Sequence, residues 1–138
     1  MPVYETADPK VASEDPRFIA AIELIRRNGA REIQLRYDEE QKPIVWVAVA
    51  AFSIINGKPS GRGKVNAHQA GGGLDPLVAL FALCRACIDR RGVCTHCGRN
   101  TMFDETFEPQ PLEDFYCWYQ WDPELQTFRR GCEGGLDV

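Results

Sequence analysis

The sequence has no apolar run close to the roughly 20 residues that a membrane-spanning helix needs. Its longest apolar stretch, Ile44–Phe52, has the length of a buried strand instead. The first residues lack the apolar segment of a secretory signal, so we expect a cytoplasmic protein that does not bind membranes. Positive charge is not in excess, since 16 Lys and Arg stand against 20 Asp and Glu. This balance argues against a protein whose main task is to coat nucleic acid.

Two segments begin with the same helix-start signal, an Asp–Pro pair in which the aspartate caps the helix and the proline occupies its first turn. The first pair, Asp15–Pro16, precedes an apolar stripe at helical spacing that ends near Asn28–Gly29. The second pair, Asp75–Pro76, predicts a longer helix that ends at Gly92.

The segment between the two helices predicts strands. Apolar and polar residues alternate over residues 31–37, which indicates one buried face and one wet face. Residues 43–52 are apolar throughout, which predicts a central strand buried on both faces. Residues 56–73 have the composition of a loop, in which Gly71–Gly73 is a hinge or a close-packing feature and a short third strand fits around residues 64–67.

The predicted fold class is α+β: a helix, two or three antiparallel strands, a long helix, and a C-terminal zinc-ribbon-like knuckle and hairpin. Residues 1–13 are expected to be a flexible tail, residues 14–92 the α-β-β-(β)-α core, and residues 93–138 a zinc-ribbon module packed on it. The acidic stretch 104–114 is expected to be a solvated connection within that module.

Six cysteines in a chain without an export signal indicate metal binding or redox chemistry rather than structural disulfides. The strongest local pattern is Cys94-Thr-His-Cys97-Gly, a knuckle whose tight turn aims two sulfurs at one metal ion. His96 lies between them and is expected to point away from the metal. Because a closed structural zinc site needs four ligands, two more residues must contribute.

Cys117 and Cys132 form the favoured second pair. If a turn is centred on residues 123–126, the flanking segments form a hairpin in which Trp121 faces Phe128 and Cys117 faces Cys132. Directly opposed side chains lie about 5 Å apart, a separation that suits two sulfurs bound to one ion.

Cys84 and Cys87 form the alternative pair, because residues three positions apart share one face of a helix. Cysteines on an apolar stripe are, however, usually small core residues. The sequence therefore predicts one structural Zn²⁺ bound by Cys94, Cys97 and one of the two pairs.

No acid–base pair or nucleophile arrangement stands out, so we expect a protein that is not an enzyme. The aromatic hairpin, flanked by acids, favours a surface for a protein partner. Its candidate contact residues are Trp118, Tyr119, Trp121, Arg129 and Arg130. The alternative function is a nucleic-acid-binding regulator that combines these aromatics with the basic 58–64 loop. The cations of this loop are Lys58, Arg62 and Lys64.

Three stretches carry a resemblance: Asp-Pro-Leu-Val-Ala-Leu at 75–80, Cys-Thr-His-Cys-Gly-Arg at 94–99, and the segment 117–134 with Cys-Trp-Tyr-Gln-Trp-Asp-Pro-Glu-Leu and Phe-Arg-Arg-Gly-Cys-Glu-Gly. Together they resemble small uncharacterised zinc-knuckle proteins of phages that infect actinobacteria, over most of residues 15–134. The resemblance implies a phage protein that acts in the host cytoplasm, and the protein partner expected above would then be a host or phage protein. It supports Cys94, Cys97, Cys117 and Cys132 as the ligand set and implies no activity.

Overall fold

The computed structural model describes residues 3–4, 15–40, 45–94, 96–104 and 115–132, which form two helices and two β-sheets. The helices are α1 (Pro16–Arg27) and α2 (Pro76–Arg91). The larger sheet contains β1 (Val3–Tyr4), β2 (Glu32–Asp38), β3 (Val45–Ile55), β4 (Lys58–Ser60) and β5 (Ala67–Gly73). The smaller sheet contains β6 (Asn100–Phe103), β7 (Tyr116–Asp122) and β8 (Thr127–Arg130). The predicted α+β class is confirmed.

Both helices begin where the Asp–Pro pairs predict. The carboxylate of Asp15 accepts a hydrogen bond from the backbone N–H of Arg17 at 2.9 Å, and that of Asp75 accepts one from Val78 at 2.9 Å. Each bond satisfies an N–H group that the first helical turn leaves without a partner, so the start of each helix is set by its own cap.

The long strand β3 is the centre of the larger sheet, as its apolar character predicts. It pairs antiparallel with β2 and β5 over residues 45–52, and with β4 over residues 53–55. The short strand β1 pairs parallel with β2 through Val3 and Tyr4. In the sequence, α1 therefore lies between β1 and β2, and α2 follows β5.

Val3–Tyr4, within the predicted 1–13 tail, forms a strand; the rest of that range lies outside the described residues, and the flexible tail stays a prediction. The expectation that residues 56–73 are a loop is wrong, because they contain both β4 and β5. Glycine-rich β5 lacks the β-branched residues that mark most strands, and it is held in place by seven pairings to β3 and by α2.

One face of the larger sheet is buried under the helices. Trp46, Ala48, Ala50 and Phe52 of β3 point into this core, whereas its valines at 45, 47 and 49 lie half-buried on the other face. The prediction that β3 is buried on both faces is therefore wrong for its first half among the described residues.

The glycine run allows α2 to lie directly on β5. A Cβ atom at Gly71 would come within 2.4 Å of the Leu83 nitrogen, and one at Gly73 within 2.5 Å of Val78. The close-packing interpretation of Gly71–Gly73 is thus confirmed, because any larger residue at these two positions would push the helix off the sheet.

The smaller sheet contains the predicted hairpin. Trp121 pairs with Phe128 and Tyr119 with Arg130, which is the expected register. An additional strand, β6, pairs parallel with β7 and was not predicted. The mixed sheet therefore differs from a bare knuckle and hairpin, and residues 133–138 of the predicted module lie outside the described residues.

Both sheets share one hydrophobic core. The Phe103 ring of β6 lies 6.0 Å from Phe81 of α2 and 5.0 Å from Phe128 of β8, measured between ring centroids. Tyr119 is buried in the same cluster. Asp104 is also buried, so the expectation of a solvated acidic stretch is wrong at its first residue, and residues 105–114 lie outside the described residues.

Candidate metal centre

Four cysteines meet at one end of the smaller sheet. The sulfur atoms of Cys94, Cys97, Cys117 and Cys132 all lie within 4.8 Å of one another. A tetrahedral ion with sulfur ligands at 2.3 Å places its sulfurs about 3.8 Å apart, so small side-chain movements bring all four into coordination distance. Three of the cysteines are buried and Cys97 is half-buried, which leaves little access for water.

The knuckle is shaped by its backbone. The N–H of Gly98 donates to the carbonyl oxygen of Cys94 at 2.9 Å, and the N–H of Cys94 donates to the carbonyl oxygen of Arg99 at 2.7 Å. Gly98 has φ of +76°, a left-handed conformation that favours glycine. These features close the tight turn that sets the first two sulfurs side by side.

The second pair of sulfurs comes from the hairpin. Cys117 belongs to β7, and its neighbour in the parallel strand β6 is Thr101. Cys132 follows β8, and the N–H of Gly131 continues the pairing by donating to the carbonyl oxygen of Trp118 at 2.6 Å. The turn register thus carries Cys132 back toward Cys117, as the sequence predicts.

The thiols of Cys94 and Cys117 differ in acidity. Burial raises the pKa of Cys94, but hydrogen bonds from the backbone N–H groups of Cys97 and His96, and from the Cys97 and Cys117 side chains, outweigh it and lower the pKa to about 6. Burial, together with side-chain hydrogen bonds to Cys132 and Cys94, raises the pKa of Cys117 well above its ordinary value. In the metal-free protein the thiolate therefore forms more readily at Cys94 than at Cys117.

Two further side chains reach the sulfurs. Arg130 donates from Nη1 to the Cys94 sulfur at 3.6 Å, and Nδ1 of His96 lies 3.6 Å from the Cys132 sulfur. His96 was expected to point away from the metal, and this is wrong, because its ring lies against the cluster. A four-thiolate site around a divalent ion has a net charge of about −2, which the Arg130 cation partly offsets.

The alternative pair is not part of the cluster. Cys84 and Cys87 lie in the hydrophobic core beneath α2, and the Cys84 thiol approaches the carbonyl oxygen of Ala21 at 3.6 Å. Burial, then the neighbouring Cys87, raises the pKa of Cys84 well above its usual value, which disfavours the thiolate that a metal needs. These two cysteines have the role of small core residues.

Comparisons of the chain with protein-family models, with curated proteins and with solved structures found no match. No helix among the described residues is long and apolar enough to cross a membrane.

The five predicted contact residues of the hairpin have different environments. Tyr119 is buried in the core, and Trp121 packs edge-on against Phe128 with ring centroids 5.3 Å apart. Arg130 faces the cysteines. The side chains of these three residues make contacts within the protein, and their part in binding a partner stays a prediction.

Trp118 and Arg129 lie on the opposite, outer face of the hairpin. Trp118 packs beside Tyr116, with ring centroids 6.0 Å apart, and its Nε1 has no hydrogen-bond partner among the described residues. Arg129 is exposed and forms an ion pair with Asp122 at 3.0 Å. Phe115, at the start of the hairpin, is 69% exposed. We call Phe115, Tyr116, Trp118 and Arg129 the hairpin surface.

The three cations of the nucleic-acid alternative belong to the larger sheet. Lys58 is in β4, and Arg62 and Lys64 follow it on an exposed loop. This loop is fixed by its backbone, since the carbonyl oxygen of Arg62 accepts from the Ser53 hydroxyl at 2.6 Å and that of Gly63 accepts from Arg31. The cations and the hairpin aromatics thus lie on different sheets.

A cavity of about 630 Å³ lies between the end of α1, β3, β4 and the end of α2. Phe52 and Cys87 form its buried floor, and Arg27 and Lys58 line it. The described lining contains no pair of side chains arranged for acid–base chemistry.

Proposed function

We propose that the protein binds one zinc ion through Cys94, Cys97, Cys117 and Cys132, and that this ion is structural. The observation that carries the proposal is the convergence of four sulfurs, three of them buried, from two separate segments of the chain. Four thiolates fill a tetrahedral ion completely, which is the pattern of structural zinc, whereas catalytic zinc keeps one position for water or substrate.

The ion would join the knuckle after α2 to the hairpin. The smaller sheet has strands of only four, seven and four residues, so it depends on its contacts for stability. A bound ion adds binding free energy to the folded state alone and thereby holds the hairpin in one shape.

We further propose that the hairpin surface binds a protein partner. Exposed Phe115 and half-buried Trp118 offer aromatic area, and Arg129 adds a cation, which are the residue types enriched at protein interfaces. In keeping with the resemblance to phage proteins, the partner would be a host or phage protein and the place of action the host cytoplasm. The protein would act by binding, without catalysis.

Metal analysis of the purified protein tests the site. We expect about one zinc per chain, which Cys117→Ser and Cys132→Ser each abolish. Cys84→Ser is the matched control, because serine can still donate to the Ala21 oxygen and Cys84 is outside the cluster. A wild-type protein without metal, or a Cys84→Ser variant that loses it, would contradict the proposal.

Binding of a partner is tested by affinity capture from nuclease-treated lysate of an actinobacterial host. We expect one protein that is retained by the wild type and lost with Trp118→Ala and Arg129→Glu, while the zinc content stays unchanged. The control neutralises the three cations of the alternative function, Lys58→Gln, Arg62→Gln and Lys64→Gln. Capture that occurs only in lysate without nuclease treatment, that fails in this control and that weakens steeply with salt would instead indicate nucleic acid.

A further inference from the structure

The edges of the two sheets are mostly protected against pairing with another chain. Strand β1 is two residues long, and β4 contains both Lys58 and Pro59. Strand β8 carries Arg129 and Arg130, and the outer side of β6 is covered by a bridge from Val93 to Asn100. Short length, charge and proline are the usual means by which an exposed edge avoids a second strand.

Strand β5 has none of these protections. It is seven residues long, it has no Lys, Arg, Asp, Glu or Pro, and among the described residues only β3 pairs with it. Its outer side therefore offers about 24 Å of backbone N–H and C=O groups without a partner strand.

The outward-facing residues of β5 are His68, Ala70 and Gly72, and the last two are small. Gly71 and Gly73 are fixed by the approach of α2, but a Cβ atom at Gly72 would meet only the Trp46 oxygen at an ordinary 3.6 Å. Ala70 is exposed as well. Small side chains here leave room for another strand and for the chain that carries it.

The residues at the two ends of β5 complement each other. Val65, before the strand, is 41% exposed, and Leu74 and Val78, after it, are 69% and 47% exposed. Exposed Lys64 precedes Val65, and exposed Asp75 follows Leu74. An apolar side chain and a charge thus stand at each end, and the charges at the two ends are opposite.

We propose that β5 pairs antiparallel with β5 of a second copy of this chain, about a twofold axis near Ala70. Val65 lies five residues before Ala70 and Leu74 four residues after it, so the pairing brings Val65 of each copy beside Leu74 and Val78 of the other. Lys64 of each copy then approaches Asp75 of the other. The two larger sheets become one continuous sheet, and both sets of apolar side chains are covered.

Sedimentation equilibrium of the full, metal-loaded chain, from about 1 µM to about 1 mM, tests this pairing. We expect a reversible dimer whose dissociation constant rises about tenfold in Ala70→Lys, because two like charges then face each other at the axis. Leu74→Lys should weaken the dimer similarly. Leu125→Lys is the matched control, because Leu125 is also exposed but lies in the β7–β8 turn, and it should leave the dimer unchanged.

A mixing experiment identifies the axis. Ala70→Lys and Ala70→Glu chains, each weakened in self-association, should form a tighter heterodimer when combined, since opposite charges then meet across the axis. A wild type that is monomeric throughout the range would overturn the proposal. So would a dimer that neither Ala70→Lys nor Leu74→Lys weakens, or a mixture that fails to associate.

Discussion

Phe128→Ala tests whether the metal organises the smaller sheet. Phe128 is fully buried, and its ring lies 5.0 Å from that of Phe103 and 5.3 Å from that of Trp121. Replacing a buried phenylalanine with alanine removes its transfer free energy and leaves a cavity, at a cost of about 3–5 kcal/mol. Against a total stability of about 5–15 kcal/mol, this is a large fraction of the free energy of unfolding.

The cost of Phe128→Ala should depend on the metal. If the smaller sheet loses its structure when a chelator removes the ion, Phe128 is already exposed in the metal-free protein, and the substitution should then cost less than about 1 kcal/mol. Urea unfolding followed by circular dichroism measures both values. With a slope of about 2 kcal/mol per molar urea, the midpoint should fall by roughly 2 M with metal and by little without it.

Phe52→Ala is the matched control, because Phe52 is equally buried but belongs to β3 of the larger sheet. It should cost about 3–5 kcal/mol both with and without the metal. Equal costs of Phe128→Ala under the two conditions would refute the idea that the ion shapes the smaller sheet. Complete unfolding of the chain on chelation would show that the larger sheet depends on the ion as well.

Three further predictions concern single contacts. Asp15→Ala should lower the free energy of unfolding by about 1 kcal/mol at neutral pH through loss of the cap. The side-chain hydrogen bond from Arg17 lowers the pKa of Asp15, so this stabilisation is present above the unfolded-state pKa and disappears as the pH falls through the folded-state pKa. The denaturation curves of wild type and variant should therefore converge in acid. Arg130→Gln should keep the fold but weaken zinc binding by about 10–100-fold in chelator competition, since it removes the cation beside the Cys94 sulfur. An unchanged zinc affinity would show that Arg130 does not contribute to the metal site. Gly71→Ala should cost about 1–3 kcal/mol because its Cβ would meet the Leu83 nitrogen. Gly72→Ala, whose Cβ would make only an ordinary contact with the Trp46 oxygen, should be nearly neutral in the same urea assay, and equal effects would disprove the close-packing role.

Local sequence signals account for part of this fold. The Asp–Pro caps set the helix starts, and the turn centred on residues 123–126 sets the hairpin register and with it the approach of Cys117 to Cys132. These features depend on neighbours in the sequence, whose geometry is nearly independent of the rest of the chain.

The features that the sequence did not predict depend on distant contacts. Val3–Tyr4 and β6 are strands because each pairs with a parallel strand that is distant in the sequence. Both are too short to show the alternation of apolar and polar residues that marks a strand. The glycines hide β5 from sequence analysis because glycine has low β-propensity. They are present because α2 packs too close for larger side chains at Gly71 and Gly73. Likewise the contacts of His96 and Arg130 with the sulfurs follow from how the knuckle meets β8, which no spacing reveals.

The two proposed sites lie at opposite ends of α2, and this makes their consequences separable. The helix begins beside β5 at Pro76 and ends at Arg91, shortly before Cys94. Sixteen residues of α-helix span about 24 Å, so the dimer edge and the metal centre share no side chain. Ala70→Lys should therefore weaken the dimer while the chain keeps its full zinc content, and Cys132→Ser should lose zinc while β5 still pairs. Loss of both properties in either variant would show that α2 couples the two sites. The helix contacts both, because it packs on β5 at one end and its Ile88 carbonyl oxygen accepts hydrogen bonds from Gly92 and Thr101 at the other.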